Sequence, residues 1–540
     1  MSSPASNSPI ADPIQAGIAA GWQVLDASTL QQDRNFDADV VVVGTGAGGG
    51  VTAEILAQAG LKVLMVEEGA LKSSKDFKMR EADAYPSLYQ ESAARKTVDK
   101  AINILQGRTV GGTTVVNWTS SFRTPADTLG WWQSKYGLRD YGVEDMAPWF
   151  QKMEERLHIS DWPTPPNANN DLLRTGADKL GIKTALIRRN VNGCWNLGYC
   201  GMGCPTNAKQ SMLVTTIPGA LEKGAVLLTR ARAERFTLAG GQATSLECVA
   251  LTADGMEPTG RRLTLKARHF VVAGGAINSP ALLLRSGAPD PHQLLGQRTF
   301  LHPVVVSMGL YPQPVEAFNG APQTVYSDHF LHTQAPDGPM GYKLEVAPLH
   351  PVLGATTLSA FGASHANLMK RFAHVQGMLA LLRDGFHPEA AGGRVTLRSD
   401  GSPQLDYPLT PYFWEGARRA LLTMAEIQFA AGADGVSPVH ELVTQPYKNW
   451  EEARQAIAAL PMQKLLTRVV SAHVMGGCAM TGDPASGVVA PDGLYRGIGN
   501  LSVHDGSLFP TSLGANPQLS IYGVTARLAT GLAERLSRKA

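Results

Sequence analysis

A glycine-rich turn after a short apolar run constrains the fold more than any other part of the sequence. Residues 40 to 43 are four valines, and they end at Gly44. Gly46 and Gly49 complete the spacing G-x-G-x-x-G ahead of a stretch with helical periodicity. The first glycine permits a sharp turn, the second lets a pyrophosphate approach the backbone, and the third lets helix and strand pack closely. The pattern predicts a strand, a tight turn and a helix.

An acidic residue strengthens this prediction. A second apolar run, residues 63 to 66, ends at Glu67, about 20 residues beyond the glycines, where a carboxylate can bond ribose hydroxyls. The N-terminus of the helix offers unpaired N–H groups and partial positive charge to phosphates. We therefore predict a dinucleotide site. A glycine-rich turn that binds nothing is the alternative, and the stretch alone does not identify the dinucleotide.

Composition excludes several classes of protein. The 540 residues are 44% hydrophobic and 17% charged with a net charge of +2, so we expect a large core, not global disorder. No basic stripe indicates nucleic acid, and no apolar run reaches the roughly 18 residues of a transmembrane helix. The first residues lack the pattern of a signal peptide. We expect a cytoplasmic or peripherally membrane-associated protein, unless a partner exports it.

A second glycine-rich segment follows the first. Gly107, Gly111 and Gly112 would interrupt any regular helix and bring the backbone close to a neighbour. Thr113 and Asn117 add hydrogen-bonding side chains beside them. By itself, the segment fits a ligand-binding loop and a plain loop equally well.

Three of the five cysteines lie close together. Cys194, Cys200 and Cys204 are separated by glycines that let the backbone wrap around a bound group. Thiolates suit soft metals and iron–sulfur clusters. A structural zinc ion would need four ligands, whereas three suit a [3Fe-4S] cluster. We predict such a cluster, with another metal or reduced buried thiols as the alternatives.

The tail supplies two candidate catalytic residues. His473 can take a proton near neutral pH, and Asn516 can donate a hydrogen bond to a substrate oxygen without competing for that proton. Taken alone, His473 is more typical of a structural histidine. His302, just before Pro303, is interpreted as structural too.

These segments together resemble the glucose–methanol–choline oxidoreductases, an FAD-dependent family. Four stretches match in order, over nearly the whole chain from about residue 37: residues 44–69, 107–117 and 278–287, and the tail with His473, Asn516 and the sequence Val-His-Asp-Gly-Ser-Leu-Phe-Pro from Val503. The resemblance implies an α/β protein. Its Rossmann-like FAD-binding domain is joined by a second, α+β substrate domain that carries an antiparallel sheet.

The resemblance also implies domain boundaries and cofactor contacts. The expected parts are an N-terminal extension (1–36), a discontinuous FAD-binding domain (37–130, 205–310 and 470–540), a linker with the cysteine segment (131–204) and a substrate-binding domain (311–469). The residues implied to hold FAD are Gly44, Gly46, Gly49, Glu67, Val110, Thr113, Asn117, Ala233, Asp505, Gly506, Asn516 and Pro517.

The family's mechanism maps onto the tail. The resemblance implies that His473 takes the hydroxyl proton of an alcohol while the carbinol carbon passes hydride to flavin N5. Asn516 followed by Pro517 is similar to the cholesterol oxidase and long-chain alcohol oxidase branches, in which a carboxylate can assist; Glu345 is the candidate. With the apolar run Leu368–Leu382, predicted to be helical, this favours a primary, long-chain or otherwise apolar alcohol.

The cysteine segment is similar to that of bacterial membrane-linked sugar dehydrogenases, which carry a [3Fe-4S] cluster. We therefore expect a dehydrogenase that passes electrons through the cluster to a cytochrome or quinone-linked partner, with a small escort subunit as a further expected partner. The alternatives are a sugar or polyol dehydrogenase of the same cluster-bearing type, an oxygen-dependent alcohol oxidase, and an FAD-binding electron-transfer or assembly subunit without turnover.

Overall fold

The computed structural model describes residues 10–358 and 361–538. Within these residues the α-helices are α1 (Pro13–Ala19), α2 (Ala47–Gln58), α3 (Glu81–Leu88), α4 (Ala126–Tyr136), α5 (Val143–Arg156), α6 (Ala168–Lys179), α7 (Thr216–Glu222), α8 (Gly275–Arg285), α9 (Pro351–Thr357), α10 (Gly362–Lys370), α11 (Pro411–Ala430), α12 (Trp450–Ala459) and α13 (Gln518–Ser537). None of the helices in this part of the chain is long and apolar enough to cross a membrane.

The β-strands in the same residues are β1 (Gln23–Asp26), β2 (Arg34–Val43), β3 (Val63–Val66), β4 (Ile102–Ile104), β5 (Ile159–Ser160), β6 (Ala185–Leu186), β7 (Arg189–Asn190), β8 (Val226–Thr229), β9 (Ala231–Ala239), β10 (Gln242–Leu251), β11 (Pro258–Val272), β12 (Thr299–Leu301), β13 (Val304–Leu310), β14 (Val325–Ser327), β15 (Tyr342–Val346), β16 (Val375–Leu382), β17 (Arg394–Leu397), β18 (Pro403–Asp406), β19 (Gly435–Pro438), β20 (Val469–Ser471), β21 (Val474–Gly476) and β22 (Leu501–Val503).

The first large sheet carries the glycine fingerprint. Its strands run in the order β1-β8-β3-β2-β11-β10-β9, and β22 joins β11. The four valines at the end of β2 are buried between β3 and β11, both parallel to β2. Parallel strands covered on both faces require continuous apolar sequence, which explains the valine run. The predicted order of strand, turn, helix and strand is confirmed.

The second large sheet is mainly antiparallel. Its order is β4-β20-β13-β16-β15-β14-β6, and β19 also pairs with β13. Helix α11 packs on β13 and β16, and its buried side chains share an apolar core with this sheet. Strands β4, β6 and β13 come from outside the predicted substrate-binding segment 311–469, and β20 begins at its last residue. The predicted fold class is confirmed, while the domain boundaries stay a prediction.

One local prediction was wrong. The apolar run Leu368–Leu382, predicted to be helical, contains only the end of α10, a short 3₁₀ turn and then strand β16. All eight residues of β16 are buried, because the strand lies in the interior of the second sheet. An apolar run of this kind fits a buried strand as well as a helix, and only the tertiary structure distinguishes the two.

A small antiparallel pair positions the catalytic candidates. Strand β12 pairs with β21 so that Leu301 lies opposite Val474. The following residue, His302, is therefore brought beside His473, the residue before Val474. This register joins two segments that are far apart in the sequence.

Candidate active site

A cavity of about 740 Å³ brings most of the predicted site residues together. Those that line it are Gly44, Gly46, Glu67, Thr113, Asn117, Ala233, His473, Asp505, Gly506, Asn516 and Pro517. Two predicted cofactor residues do not line it. Val110 is buried in the core with its amide bonded to the Ala70 carbonyl (3.1 Å). Gly49 lies against the turn, where an added Cβ would be 1.9 Å from the Gly44 oxygen. It thus has the packing role assigned to the third glycine.

The two glycine loops face each other across one wall of the cavity. A Cβ on Gly112 would lie 2.8 Å from the Cα of Gly46, so the second loop tolerates no side chain at this approach, whereas a Cβ on Gly46 would lie 3.9 Å from the Cα of Gly112. Helix α2 begins here, and no side chain caps its N-terminus. Its first N–H groups are therefore suited to an anionic group. This wall fits a pyrophosphate.

Glu67 joins the fingerprint turn to its neighbours. Its Oε2 accepts hydrogen bonds from the backbone N–H of Thr45 (3.1 Å) and from the Thr45 hydroxyl (2.6 Å), and its Oε1 accepts one from the Gly69 N–H (2.8 Å). The Thr45 oxygen also accepts a hydrogen bond from the Gly111 N–H (3.0 Å), so it links both glycine loops. Burial raises the pKa of Glu67 despite these bonds. A carboxylate can accept further bonds, so contact with a ribose stays a prediction.

Asp505 holds the start of helix α8 against the tail. Its Oδ2 accepts hydrogen bonds from the Gly275 N–H (2.8 Å) and the Ser279 hydroxyl (2.5 Å). Its Oδ1 accepts from the N–H (2.8 Å) and hydroxyl (2.5 Å) of Ser507. The main role of this carboxylate in the structure is to fix the cavity wall around it. The sequence of Ser279 followed by Pro280 predicts a helix cap, and this prediction was wrong: Ser279 lies within α8, and its hydroxyl donates to Asp505 instead.

Asn117 contacts a residue that the sequence analysis missed. Its side-chain amide donates to Gln518 Oε1 (2.6 Å), and the Gln518 amide donates to the Ser120 carbonyl (2.8 Å) and to the Ser121 hydroxyl (2.9 Å). Gln518, the first residue of α13, thereby ties the second glycine loop to the tail. The only sequence signal for it was its position after the Asn-Pro pair.

His302 determines the protonation of His473. The two Nδ1 atoms lie 3.0 Å apart. His302 Nε2 faces two backbone donors, the N–H groups of Leu513 (3.3 Å) and Gly514 (3.0 Å). A nitrogen that accepts from N–H groups carries no proton, so the His302 proton lies on Nδ1 and is donated to His473 Nδ1. Neutral His473 therefore carries its own proton on Nε2.

Both histidines are kept neutral by their surroundings. Burial and the positive charge of Lys343 lower the pKa of His473 to about 3, and burial together with His473 lowers that of His302 well below its usual value. A protonated His473 would also place an N–H against the N–H of His302. The sequence analysis interpreted His302 as structural, and the structure makes it a contact of the catalytic candidate.

Asn516 has a buried side-chain oxygen that no protein group among the described residues pairs with. Its Nδ2 donates to Glu345 Oε2 (3.2 Å), which also accepts from the Gln323 amide (2.6 Å). Asn516 Oδ1 is buried and has no hydrogen-bond partner among the described residues. We expected Asn516 to donate to the substrate oxygen. In this arrangement the unpartnered oxygen can accept a hydrogen bond from a ligand, while the second N–H of Nδ2 can still donate one.

Glu345 belongs to a buried charged pair behind Asn516. It is fully buried, and its Oε1 lies 3.6 Å from the Lys343 ammonium. That ammonium also lies over the rings of Phe122 (2.9 Å to the centroid) and Tyr326 (4.4 Å). Burial raises the pKa of Glu345, and it lowers that of Lys343 to about 8. A buried carboxylate with a raised pKa, next to a site residue, fits a proton-transfer role.

The wall of the cavity contributed by the second sheet is apolar. Val304 of β13, Leu379 and Leu381 of β16, and Val470 of β20 line the same cavity as His473. The site therefore combines one hydrogen-bonding pair with an aliphatic surface.

The predicted metal centre is not supported. No group of three His, Cys, Asp or Glu side chains arranged to hold a metal ion occurs in residues 10–358 and 361–538, which include all three cysteines. Cys194 accepts from the Asn196 N–H (3.4 Å), Cys204 accepts from the Lys209 N–H (3.4 Å), and Cys200 lies 3.8 Å from the Arg189 guanidinium. The thiols are free, and burial raises the pKa of Cys194.

Comparison with known proteins decides the family. Models of the GMC oxidoreductase family match residues 85–304 and 388–525. The chain belongs to the GMC oxidoreductases. An uncharacterised GMC-type oxidoreductase of Mycobacterium tuberculosis is 30% identical over 91% of this chain and 75% of that protein. The long-chain-alcohol oxidase FAO4B of Arabidopsis thaliana is 28% identical over 93% of this chain and 68% of its own length.

Two solved structures of oxidases share the fold. Pyridoxine 4-oxidase from Mesorbium loti superposes with a TM-score of 0.67 at 19% identity, covering 91% of this chain and 98% of that one. Formate oxidase of Aspergillus oryzae gives 0.70 at 16% identity, covering 94% and 100%. This chain is an FAD-dependent oxidoreductase of the GMC family that acts on alcohol-type donors. The paired glycine loops and the uncapped N-terminus of α2 fit the pyrophosphate of FAD.

Proposed function

We propose that this GMC oxidoreductase oxidises a primary, apolar, long-chain alcohol to the aldehyde. The observation that carries the proposal is the placement of the His473–Asn516 pair beside an aliphatic wall in one cavity. The name of the Arabidopsis relatives, long-chain-alcohol oxidase, supports the same substrate class. Bound FAD would supply the hydride acceptor.

The polarity of the pair matches a hydroxyl group. His473 Nε2–H donates to the hydroxyl oxygen, and the unpartnered Asn516 Oδ1 accepts the hydroxyl hydrogen. An aldehyde oxygen can take only the first of these bonds and would leave Asn516 Oδ1 unpaired, which disfavours retention of the product.

Glu345 is the proton acceptor in this proposal. It lies behind Asn516 and does not line the cavity, so the Asn516 side chain has to rotate aside before the O–H proton of the alcohol passes to the carboxylate. The resting contacts leave no lone pair on His473 Nε2, so the sequence-based assignment of His473 as the base would require both histidines to exchange tautomers. Glu345 is the carboxylate in contact with Asn516. The neighbouring Lys343 favours its ionised form, as a base requires.

Dioxygen is the proposed electron acceptor. Three half-buried thiols that form no metal-ligand group give the cluster route no geometric support. The word oxidase in the names of the relatives favours oxygen over a carrier. A carrier-linked dehydrogenase of sugars or polyols is the second candidate, and it rests on the cysteine spacing alone.

One set of measurements tests the proposal. Purified holoenzyme would be given dodecanol, glucose and choline, with air or with an artificial electron acceptor, while peroxide, flavin absorbance and iron content are recorded. We expect dodecanol oxidation, peroxide formation in air, and flavin without stoichiometric iron. Preference for glucose would overturn the substrate class. Turnover confined to the artificial acceptor, together with iron, would overturn the oxidase assignment.

A further inference from the structure

An apolar layer leads away from the catalytic cavity along the second sheet. Alternate residues of β13 and β16 point to one face, and their side chains belong to one buried apolar cluster: Val304, Val306, Met308 and Leu310 on β13, and Val375, Leu379 and Leu381 on β16. The register pairs Val304 with Leu381 and Leu310 with Val375, so the two rows run side by side along the strands.

The layer has the catalytic cavity at one end and a second cavity at the other. Val304, Leu379 and Leu381 line the large cavity that contains His473. Met308 and Leu310, at the far end of β13, line a separate cavity of about 150 Å³. From Val304 to Leu310 the strand extends about 20 Å, at roughly 3.4 Å per residue. This is the length range of an extended long-chain alkyl group.

The two helices that cover this layer, α9 and α10, have few buried residues. Helix α10 has no buried residue, and Gly354 is the buried residue of helix α9. Leu368 of α10 packs half-buried against the layer and lines the small cavity together with Leu358. In the middle of the layer β16 has a glycine, Gly377, and a Cβ there would lie 3.1 Å from the Leu349 side chain. An open path between the two cavities would require this leucine and α10 to move.

We propose that this layer is the binding path for the alkyl chain of the substrate. The hydroxyl lies at His473, the chain runs between β13 and β16 and the covering helices, and the methyl end reaches the small cavity beneath Leu368. The proposal rests on the proposed function and adds to it a determinant of chain length. The occupant is an unbranched aliphatic chain, because the two rows of side chains are aliphatic and their inner end is continuous with the catalytic cavity. The lining of the small cavity also includes Arg371, which is paired with Asp434 (3.0 Å), and the exposed Lys448, so the methyl end lies against Met308, Leu310 and Leu368 and not against these charges.

Two substitutions on one helix test the path. Leu368→Trp places an indole in the small cavity, whereas Ala366→Trp adds the same ring on the exposed face of α10. For hexadecanol we expect kcat/KM to fall at least about tenfold in Leu368→Trp. The indole would keep about two methylene groups of the substrate from being buried, and each buried methylene is worth roughly fourfold in binding. Octanol is too short to reach the small cavity, so Leu368→Trp should leave its kcat/KM unchanged. Ala366→Trp should change kcat/KM for neither alcohol.

Binding of cis-parinaric acid to the holoenzyme, followed by its fluorescence, separates failure of the path from failure of the proposed function. If the wild type oxidises neither alcohol, the proposed function fails. Probe binding that is lost in Leu368→Trp and kept in Ala366→Trp would still support the path. Equal losses of kcat/KM for octanol and hexadecanol in Leu368→Trp would overturn the proposed path. Probe binding that Leu368→Trp does not change would overturn it too.

Discussion

The Nδ1 atoms of His302 and His473 share a hydrogen bond of 3.0 Å, and this contact determines which nitrogen of His473 carries the proton. His302 is in turn oriented by the backbone N–H groups of Leu513 and Gly514, just ahead of Asn516 in the tail. The same tail segment therefore carries Asn516 and, through His302, fixes the tautomer of His473.

Replacing His473 by glutamine should retain part of the activity. A glutamine amide can donate to the substrate oxygen as Nε2–H does, whereas alanine cannot. We expect His473→Gln to keep at least about tenfold more kcat than His473→Ala, in line with the worth of a hydrogen bond in a desolvated site. Steady-state kinetics with dodecanol measures this. Equal losses of about 10²–10⁴-fold in both variants would instead identify His473 as the proton acceptor.

Glu345→Gln should reduce kcat with little change in KM. The amide keeps the size of the side chain and an oxygen that can accept from Asn516, but it cannot take a proton. We expect a fall of about 10²–10⁴-fold in kcat, as is typical when a general base is removed. Glu154→Gln, at a buried carboxylate that is paired with Arg123 and Arg188 and does not line the cavity, is the matched control and should leave kcat unchanged. Full activity of Glu345→Gln would rule out its assigned role.

Stability should fall in mild acid. His302, His473 and His504 have lowered pKa values, about 3 for the last two, because of burial. An unfolded histidine binds a proton below about pH 6.5, whereas these folded ones stay neutral far below that. The unfolded state then binds more protons, so the free energy of unfolding falls as pH decreases from about 6.5.

Thermal unfolding of the holoenzyme from pH 8 to pH 5 checks this sign. We expect a flat midpoint above about pH 6.5 and a decrease below it. His473→Gln, which cannot titrate, should show a shallower decrease. The prediction fails if wild type and variant have the same slope.

Gly48→Ala should impair folding and FAD retention. A Cβ at this position would lie 1.7 Å from the His504 carbonyl oxygen, where helix α2 packs against the tail. Such a backbone contact cannot be relieved by a side-chain movement, so we expect a cost of at least about 1–3 kcal/mol. Gly130→Ala is the control, because its Cβ would meet nothing within 4 Å. Flavin content and thermal midpoint report the result, and similar values in the two variants would contradict it.

Replacing the three clustered cysteines by serine should leave activity and absorbance unchanged. Their sulfur atoms are engaged by the Asn196 and Lys209 amides and by the Arg189 side chain, contacts that serine can partly reproduce. Visible spectra and iron analysis of wild type and variant make the comparison. Loss of a broad absorbance together with iron would restore the cluster hypothesis.

The local backbone structure of the cofactor site could be predicted from the sequence. The valine run, the glycine spacing and Glu67 specify a strand, turn and helix because each depends on residues close in the chain. The apolar run at 368–382 could not be assigned in this way, because only its neighbours β13 and β15 make it a strand.

The sequence by itself determined the family and the cofactor class, and it singled out His473 and Asn516 as candidates, since these follow from motifs whose residues are local. Only the tertiary structure decided their polarity. The contacts of His302 with His473, and of Glu345 with Asn516, each join residues 171 positions apart. A hydrogen-bonding direction depends on what faces each nitrogen and oxygen, and no spacing along the chain contains that information.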